Sequence, residues 1–370
     1  MEIRNQFDHS QEFIHLNNAG ITPLSLPCQE AMIEAVKYMG QTGAHGYYAL
    51  APRLEVARKT VADFINVKTD QVAFVNNCST AISIFAFGIP MNAGSEIILS
   101  DQEYPSNRYP WHSRAKRDNL VITEIKSESD GKINWDKFIS SIGPKTKVVA
   151  ISWVQYATGV RAPLKQISEK AKKFGAVVVV DVIQGLGAIP FDFKFEGVDA
   201  ICCGSHKWLC AQIGHGFLAV TLELSEKVYP FVQGALTFGT PDTLFDAKRS
   251  PHNTAGRFES GGINIIGSLG LAASINLFQK IGQENIYSSA MGLRRRLTEG
   301  LKNQGVKIVA EVPDEQGSPI VTFLPKNSVQ EVANRLSENK ISFAPRFGGI
   351  RVSPHAFNTK EEIDRLCQIV

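Results

Sequence analysis

Asp181 and Lys207 are the residues in this sequence best placed to do chemistry together. Asp181 directly follows Val177, Val178, Val179 and Val180. That run is β-branched throughout and has no polar alternation, as in a parallel strand buried on both faces. The carboxylate therefore stands at the carboxyl end of a buried strand, where open α/β sheets place their ligands. A carboxylate there is costly without a cationic or donor partner. Lys207 follows a second apolar run, inside Gly204-Ser205-His206-Lys207-Trp208. Opposite charges at neighbouring strand ends invite a cofactor between them. Ser79 and Thr80, between a strand ending at Val75 and an apolar helix over 81–88, offer hydroxyl and backbone donors that would either cradle a phosphate or cap the helix.

The same region admits two other readings. Cys202, Cys203, His206, Cys210 and His215 bring thiols and imidazoles together in a short stretch, as zinc sites do, although no paired C-x-x-C is present. Gly185-Leu186-Gly187 follows a strand as in a dinucleotide-binding turn, but Pro190 stands where a further glycine is needed and no helix starts there.

The elements that position these residues follow from periodicity. Apolar runs predict strands at 72–75, 96–99, 121–124, 147–151, 177–180 and 200–203. Between the fourth and fifth, Leu164, Ile167, Ala171 and Phe174 recur at helical spacing, with Pro163 suited to the first turn and Gly175 to the stop. A crossover helix joining two such strands makes the class α/β with a mostly parallel sheet. After about residue 260 the pattern changes to helices over 267–281 and 286–303, a strand over 319–324, and helices over 328–340 and 360–370. This predicts a smaller α+β lobe.

Composition removes several classes. The 370 residues are 44% hydrophobic and 20% charged, with a formal charge of +3, as in a globular protein rather than a disordered or fibrous one. The only basic run is Arg294-Arg295-Arg296, so no nucleic-acid partner is expected. No stretch of about 18 apolar residues predicts a membrane span. Residues 1–10 lack the apolar core of a secretory signal, and six cysteines in a chain of this length read as reduced thiols. A cytoplasmic location is expected.

A family resemblance adds to this. The series Asp181-x-x-Gln184 followed by Ser205-His206-Lys207-Trp208 resembles the aminotransferase class V group of pyridoxal-phosphate enzymes, which includes cysteine desulfurases, selenocysteine lyases and isopenicillin N epimerases. His15-Leu16-Asn17-Asn18-Ala19-Gly20 is similar to that family's opening motif. Phe74-Val75-Asn76-Asn77-Cys78-Ser79-Thr80 is similar to its phosphate turn, and Glu103-Tyr104-Pro105-Ser106-Asn107 to the segment covering the cofactor ring. Arg257-Phe258-Glu259-Ser260-Gly261-Gly262 resembles a loop shared across a dimer, with Gly262 where relatives have threonine. The segment from Arg351 to Thr359 resembles the carboxylate-binding motif.

The resemblance implies fold type I, with an N-terminal segment (1–20) on the small domain, a large cofactor domain (21–260) and a small C-terminal domain (261–370). It implies pyridoxal 5′-phosphate as cofactor, a small amino acid as substrate and a homodimer. Lys207 would form the Schiff base and move the Cα proton, Asp181 would pair with the ring nitrogen, and Gln184 would donate to the phenolic oxygen. Tyr104 would stack on the ring. Ser79, Thr80, Ser205 and His206 would hold the phosphate, with Ser205 one place later than in several relatives. Arg351 would clamp the α-carboxylate, with Asn18 and Gln155, or its neighbour Tyr156, at the substrate. Cysteine desulfurases carry a nucleophilic cysteine shortly before that arginine, whereas the stretch 341–351 has none. The expected reaction is therefore β-elimination or C–S cleavage of a cysteine-like amino acid without a persulfide on the enzyme, with epimerisation or transamination as alternatives.

Overall fold

A computed structural model describes residues 3–8, 12–238 and 249–370. The strands of its main sheet are β1 (Val72–Val75), β2 (Glu96–Ser100), β3 (Val121–Ile125), β4 (Thr146–Ser152), β5 (Val177–Asp181), β6 (Ala200–Gly204) and β7 (Gly216–Val220). They lie in the order β1-β7-β6-β5-β4-β2-β3. β3, β2, β4, β5 and β6 are mutually parallel, while β7 runs antiparallel between β6 and β1. The six strands read from the sequence are all present. β7, which the sequence reading omitted, is the strand that returns from the lysine loop and separates β1 from β6.

A second sheet, of β8 (Lys307–Ile308), β9 (Val321–Leu324), β10 (Ala344–Arg346) and β11 (Gly349–Val352), is antiparallel in the order β10-β11-β9-β8. The helices are α1 (Leu26–Thr42), α2 (Ala44–Phe64), α3 (Cys78–Gly88), α4 (Pro105–Asp118), α5 (Trp135–Ser141), α6 (Leu164–Lys172), α7 (Phe193–Glu196), α8 (Leu222–Lys227), α9 (Ile265–Ile281), α10 (Gln283–Asn303), α11 (Val329–Glu338) and α12 (Lys360–Ile369). Among the described residues no single helix is long and apolar enough to cross a membrane.

Among the described residues two large apolar cores divide the molecule, with a small third cluster of Val160, Val309 and Ala310. The larger surrounds the main sheet; the smaller joins Leu16 to Leu297, Phe323, Leu336, Ile350 and Ile363. The division falls later in the chain than residue 260. α9 lies against α1 and α2, and its Ile265, Leu271, Ile275 and Phe278 belong to the larger core. Small residues allow that approach: a Cβ at Gly270 would stand 2.7 Å from Met32 Cγ. At the other end of the chain, residues 14 and 17 bridge to Ile341 and Ser353 beside the smaller sheet.

Candidate active site

The parallel strands put the residues that follow β1, β2, β4, β5 and β6 along one edge of the sheet, and a cleft of about 340 Å³ opens there. Asp181, the last residue of β5, lies across from Ser152 of β4 and Cys202 of β6 in register. It is buried, and its Oδ1 accepts from Ile183 N at 2.9 Å. Burial raises its pKa, against the backbone hydrogen bond and the opposing charge of Lys207. Lys207 sits on the tight loop after β6, closed by Cys210 N donating to Lys207 O at 2.9 Å. Its amine is drawn down to about 8 by burial, with the Asp181 charge acting the other way. An amine so placed is a usable proton carrier near neutral pH.

Tyr104 caps α4 in an extended conformation (ψ 147°) ahead of Pro105, as the residue before a proline favours. The residue is 41% exposed and lines the cleft. Lys207 Nζ stands 5.5 Å from the ring centroid, and the Tyr156 ring meets it edge-on at 5.1 Å. Ser79 is in the first turn of α3 with its Oγ donating to Ser106 Oγ at 2.7 Å. Gln184 accepts from Trp208 Nε1 and donates to Ala19 O, which leaves one amide N–H for the cleft. His206 borders Lys207 and is kept neutral, its pKa pulled to about 4 first by burial and then by the lysine.

Arg351, 1% exposed, lies on β11 and reaches the cleft from the smaller sheet. It donates to Tyr156 O at 2.7 Å and Asn17 Oδ1 at 3.1 Å, and its Nε has no partner. Burial, then the charge of Arg346, draws its pKa to about 10. Arg346 also borders the cleft, its guanidinium 5.9 Å from the Tyr156 ring centroid and its Nε without a partner. Among the described residues neither arginine pairs with a carboxylate. Of the described residues lining the cleft, Asp181 is the one carboxylate, and Arg346 and Arg351 are cations without a carboxylate partner.

Four residues named from the sequence do not line this cleft. Asn18 is wholly buried and donates to Ser353 O; the adjacent Asn17 reaches Arg351 instead. Gln155 is buried and donates to Glu103 Oε1, while Tyr156 faces the cleft. Ser205 is buried against His215 Nδ1 at 2.9 Å. Thr80 opens onto a neighbouring cleft that Gly262 and Asn264 also line. Neither Ser79 nor Thr80 caps the helix. α3 starts at Cys78, and Asn77 is the cap, its side chain accepting from Thr80 N. The N–H groups of Cys78 and Ser79 in the first turn remain available for an anion.

The rival readings of this stretch fail on geometry. Among the described residues no group of His, Cys, Asp and Glu is arranged to hold a metal ion, and His215 is held between Ser205 and Ser268. Gly187 has φ +103° and packs against Trp208 O, so the glycines serve a tight turn beneath the lysine loop.

Residues 14–366 match the family described as aminotransferase class V. The chain belongs to that family. It is 26% identical over 391 residues to a probable cysteine desulfurase of Methanothermobacter thermautotrophicus, covering 99% of this chain and 96% of that protein. The apo structure of the cysteine desulfurase from Thermococcus onnurineus NA1 superposes with a TM-score of 0.91 at 26% identity, over 99% of this chain and 96% of that one. The cystine C–S lyase C-DES, solved with its reaction product cysteine persulfide, shares the fold at a TM-score of 0.87 and 23% identity, over 96% of each chain. As a member of this family the chain is a pyridoxal-phosphate-dependent enzyme of fold type I.

The residues present fit that cofactor. A buried carboxylate, a lysine of lowered pKa, an aromatic face and a helix N-terminus with free N–H groups converge on one cleft. These are the donors and charges that a phosphorylated pyridine aldehyde requires.

Proposed function

We propose that this enzyme cleaves the Cβ–S bond of a cysteine-type amino acid bearing a second carboxylate, and that the sulfur leaves with the product rather than on an enzyme thiol. All six cysteines are buried, and this observation carries the reading. Only Cys78 touches the cleft, and burial, with the Asp181 charge next, holds its thiol well above the ordinary range. A thiol in that state is a poor sulfur acceptor.

When bound, pyridoxal 5′-phosphate supplies an aldehyde for the substrate amine and an electron-accepting ring for the charge left at Cα. Lys207 would be its attachment point, and Asp181 would hold a proton at the ring nitrogen. Arg351 takes the α-carboxylate in its fork. The lysine amine then removes the Cα proton. The Cβ–S bond breaks with its electron pair leaving on sulfur, and the released 2-aminoacrylate hydrolyses to pyruvate and ammonia. Arg346 stands ready for the second carboxylate of a disulfide amino acid such as cystine. The cystine C–S lyase among the fold neighbours accords with this substrate class.

The test is product analysis on cystine and cysteine, with Arg346→Ala alongside. Cystine should give pyruvate and ammonia in equal amounts and no alanine. Arg346→Ala should raise the KM for cystine by about tenfold, the worth of one charge-assisted contact, and leave that for cysteine nearly unchanged. Alanine as the main product would contradict the reading.

A further inference from the structure

Glu103 is 4% exposed and makes no ion pair among the described residues. Its Oε1 accepts from Ser152 N at 3.0 Å and Gln155 Nε2 at 3.2 Å. Its Oε2 accepts from Asn107 Nδ2 at 2.7 Å and Ser152 Oγ at 2.5 Å. Four neutral donors around a carboxylate with no cation are an unusual expense for a protein interior, since a hydrophobic residue of similar volume serves packing alone as well. Burial pushes the carboxyl up to about 7 in spite of those donors.

The donors come from separate segments, and each lies beside a part of the site. Ser152 ends β4 directly across from Asp181. Gln155 precedes Tyr156. Asn107 is on the first turn of α4 and is itself fixed by Trp111 Nε1 at 3.2 Å. Glu103 precedes Tyr104, whose ring faces Lys207. One carboxylate thus ties the chain on either side of Tyr104 to the end of the strand next to Asp181. Tyr104 makes no side-chain hydrogen bond at the helix cap; its carbonyl accepts from Asn107 N at 2.8 Å, and the clamp holds that same Asn107 by its side chain, so it adds to what fixes the Tyr104 backbone.

We propose that Glu103 is a positioning residue for the cofactor, acting through Tyr104: its four hydrogen bonds hold the backbone at which the Tyr104 ring is set over the cofactor position. The inference rests on the cofactor assignment and on no particular amino-acid reaction. Glu103→Gln keeps the shape but puts an amide NH2 where a carboxylate oxygen accepts from two groups, and with at most the Ser152 hydroxyl able to turn and accept, the clamp loses at least one hydrogen bond and its charge-assisted strength.

The experiment is a double-mutant cycle on pyridoxal phosphate affinity, read by absorbance titration of the cofactor-free proteins. The four proteins are the parent, Glu103→Gln, Tyr104→Ala and the double variant. Glu103→Gln should weaken binding by about tenfold in the parent background and by no more than about twofold where Tyr104 is already alanine. Equal losses in both backgrounds would mean that Glu103 supports the fold without acting through the ring, and would overturn the proposal. An unchanged affinity of the single variant would overturn it as well. If Glu103→Gln does not fold, Ser152→Ala removes a single donor and is read against the same two outcomes. Failure of the lyase reaction leaves these dissociation constants untouched, so the two conclusions fall separately.

Discussion

His355 offers a quantitative test of how the site is tied to the core. It is wholly buried, stacked on Phe357 at 4.9 Å and on Trp208 at 5.6 Å. Nδ1 accepts from Ala356 N at 2.8 Å, so the proton lies on Nε2, which faces Trp208 O at 3.3 Å. A second proton on Nδ1 would confront a backbone donor, and burial holds the pKa at about 4 against an ordinary 6.5. The unfolded chain binds this proton as pH falls below 6.5, while the native protein does not until about 4, so the histidine's contribution to stability is lost as pH falls through that window. At about 1.4 kcal/mol per pH unit the loss comes to ~3.4 kcal/mol. His215, also near 4, adds a similar loss, whereas Glu103, raised to about 7, contributes stability at low pH that disappears as pH rises. The parent alone therefore mixes opposing slopes. Urea unfolding of parent and His355→Asn in parallel, from pH 7.5 to 4, isolates one histidine. The variant is the less stable at pH 7.5, and the gap should narrow by ~3 kcal/mol toward pH 4. A gap constant across that range would refute the argument that His355 is buried neutral.

Two further outcomes follow from other parts of the molecule. Arg58 pairs with Glu259 in the core, where Glu259 also accepts from Phe74 N at 2.7 Å. Glu259→Gln leaves Arg58 only its pair with the exposed Glu55 and should cost about 2 kcal/mol in urea unfolding at pH 7.5. Phe347, at φ +52°, precedes Gly348 at φ +70° in the two-residue turn joining β10 to β11, a turn that favours Asn-Gly. Phe347→Asn should stabilise the protein by about 1 kcal/mol in the same assay, since the left-handed conformation is strained for phenylalanine.

The sheet was legible because central parallel strands are written as uninterrupted apolar runs, and the four valines before Asp181 are the clearest case. β7 is equally apolar, but its Gly216-Phe217-Leu218-Ala219-Val220 lies beside the glycine-rich lysine loop, and no periodic feature reveals its antiparallel course. α1 and α2 keep Ile33, Val36, Tyr48 and Val56 exposed, which blurs their apolar stripes. α9 is apolar on nearly every side, so its pattern announces burial without saying in which core. Within the site, Asp181 and Lys207 stand at strand ends that the sequence marks, and both reach the cleft. Choices between adjacent residues were harder. Asn18 against Asn17 and Gln155 against Tyr156 depend on how the chain turns after its last strand contact, and a shift of one residue reverses which side chain faces inward. Glu103 sits in the polar run Asp101-Gln102-Glu103-Tyr104, where a carboxylate reads as exposed, and three of its four donors come from Ser152 and Gln155 far along the chain.

The fate of sulfur tests the central claim most directly. The holoenzyme is given sulfur-35-labelled cystine for several turnovers and separated from small molecules under non-reducing conditions. The label should leave entirely with the low-molecular-weight fraction, as a persulfide, while Lys207→Ala releases none. Label retained on the protein in proportion to enzyme, and discharged by a thiol, would show that one of the six buried cysteines takes up the sulfur and would contradict the account.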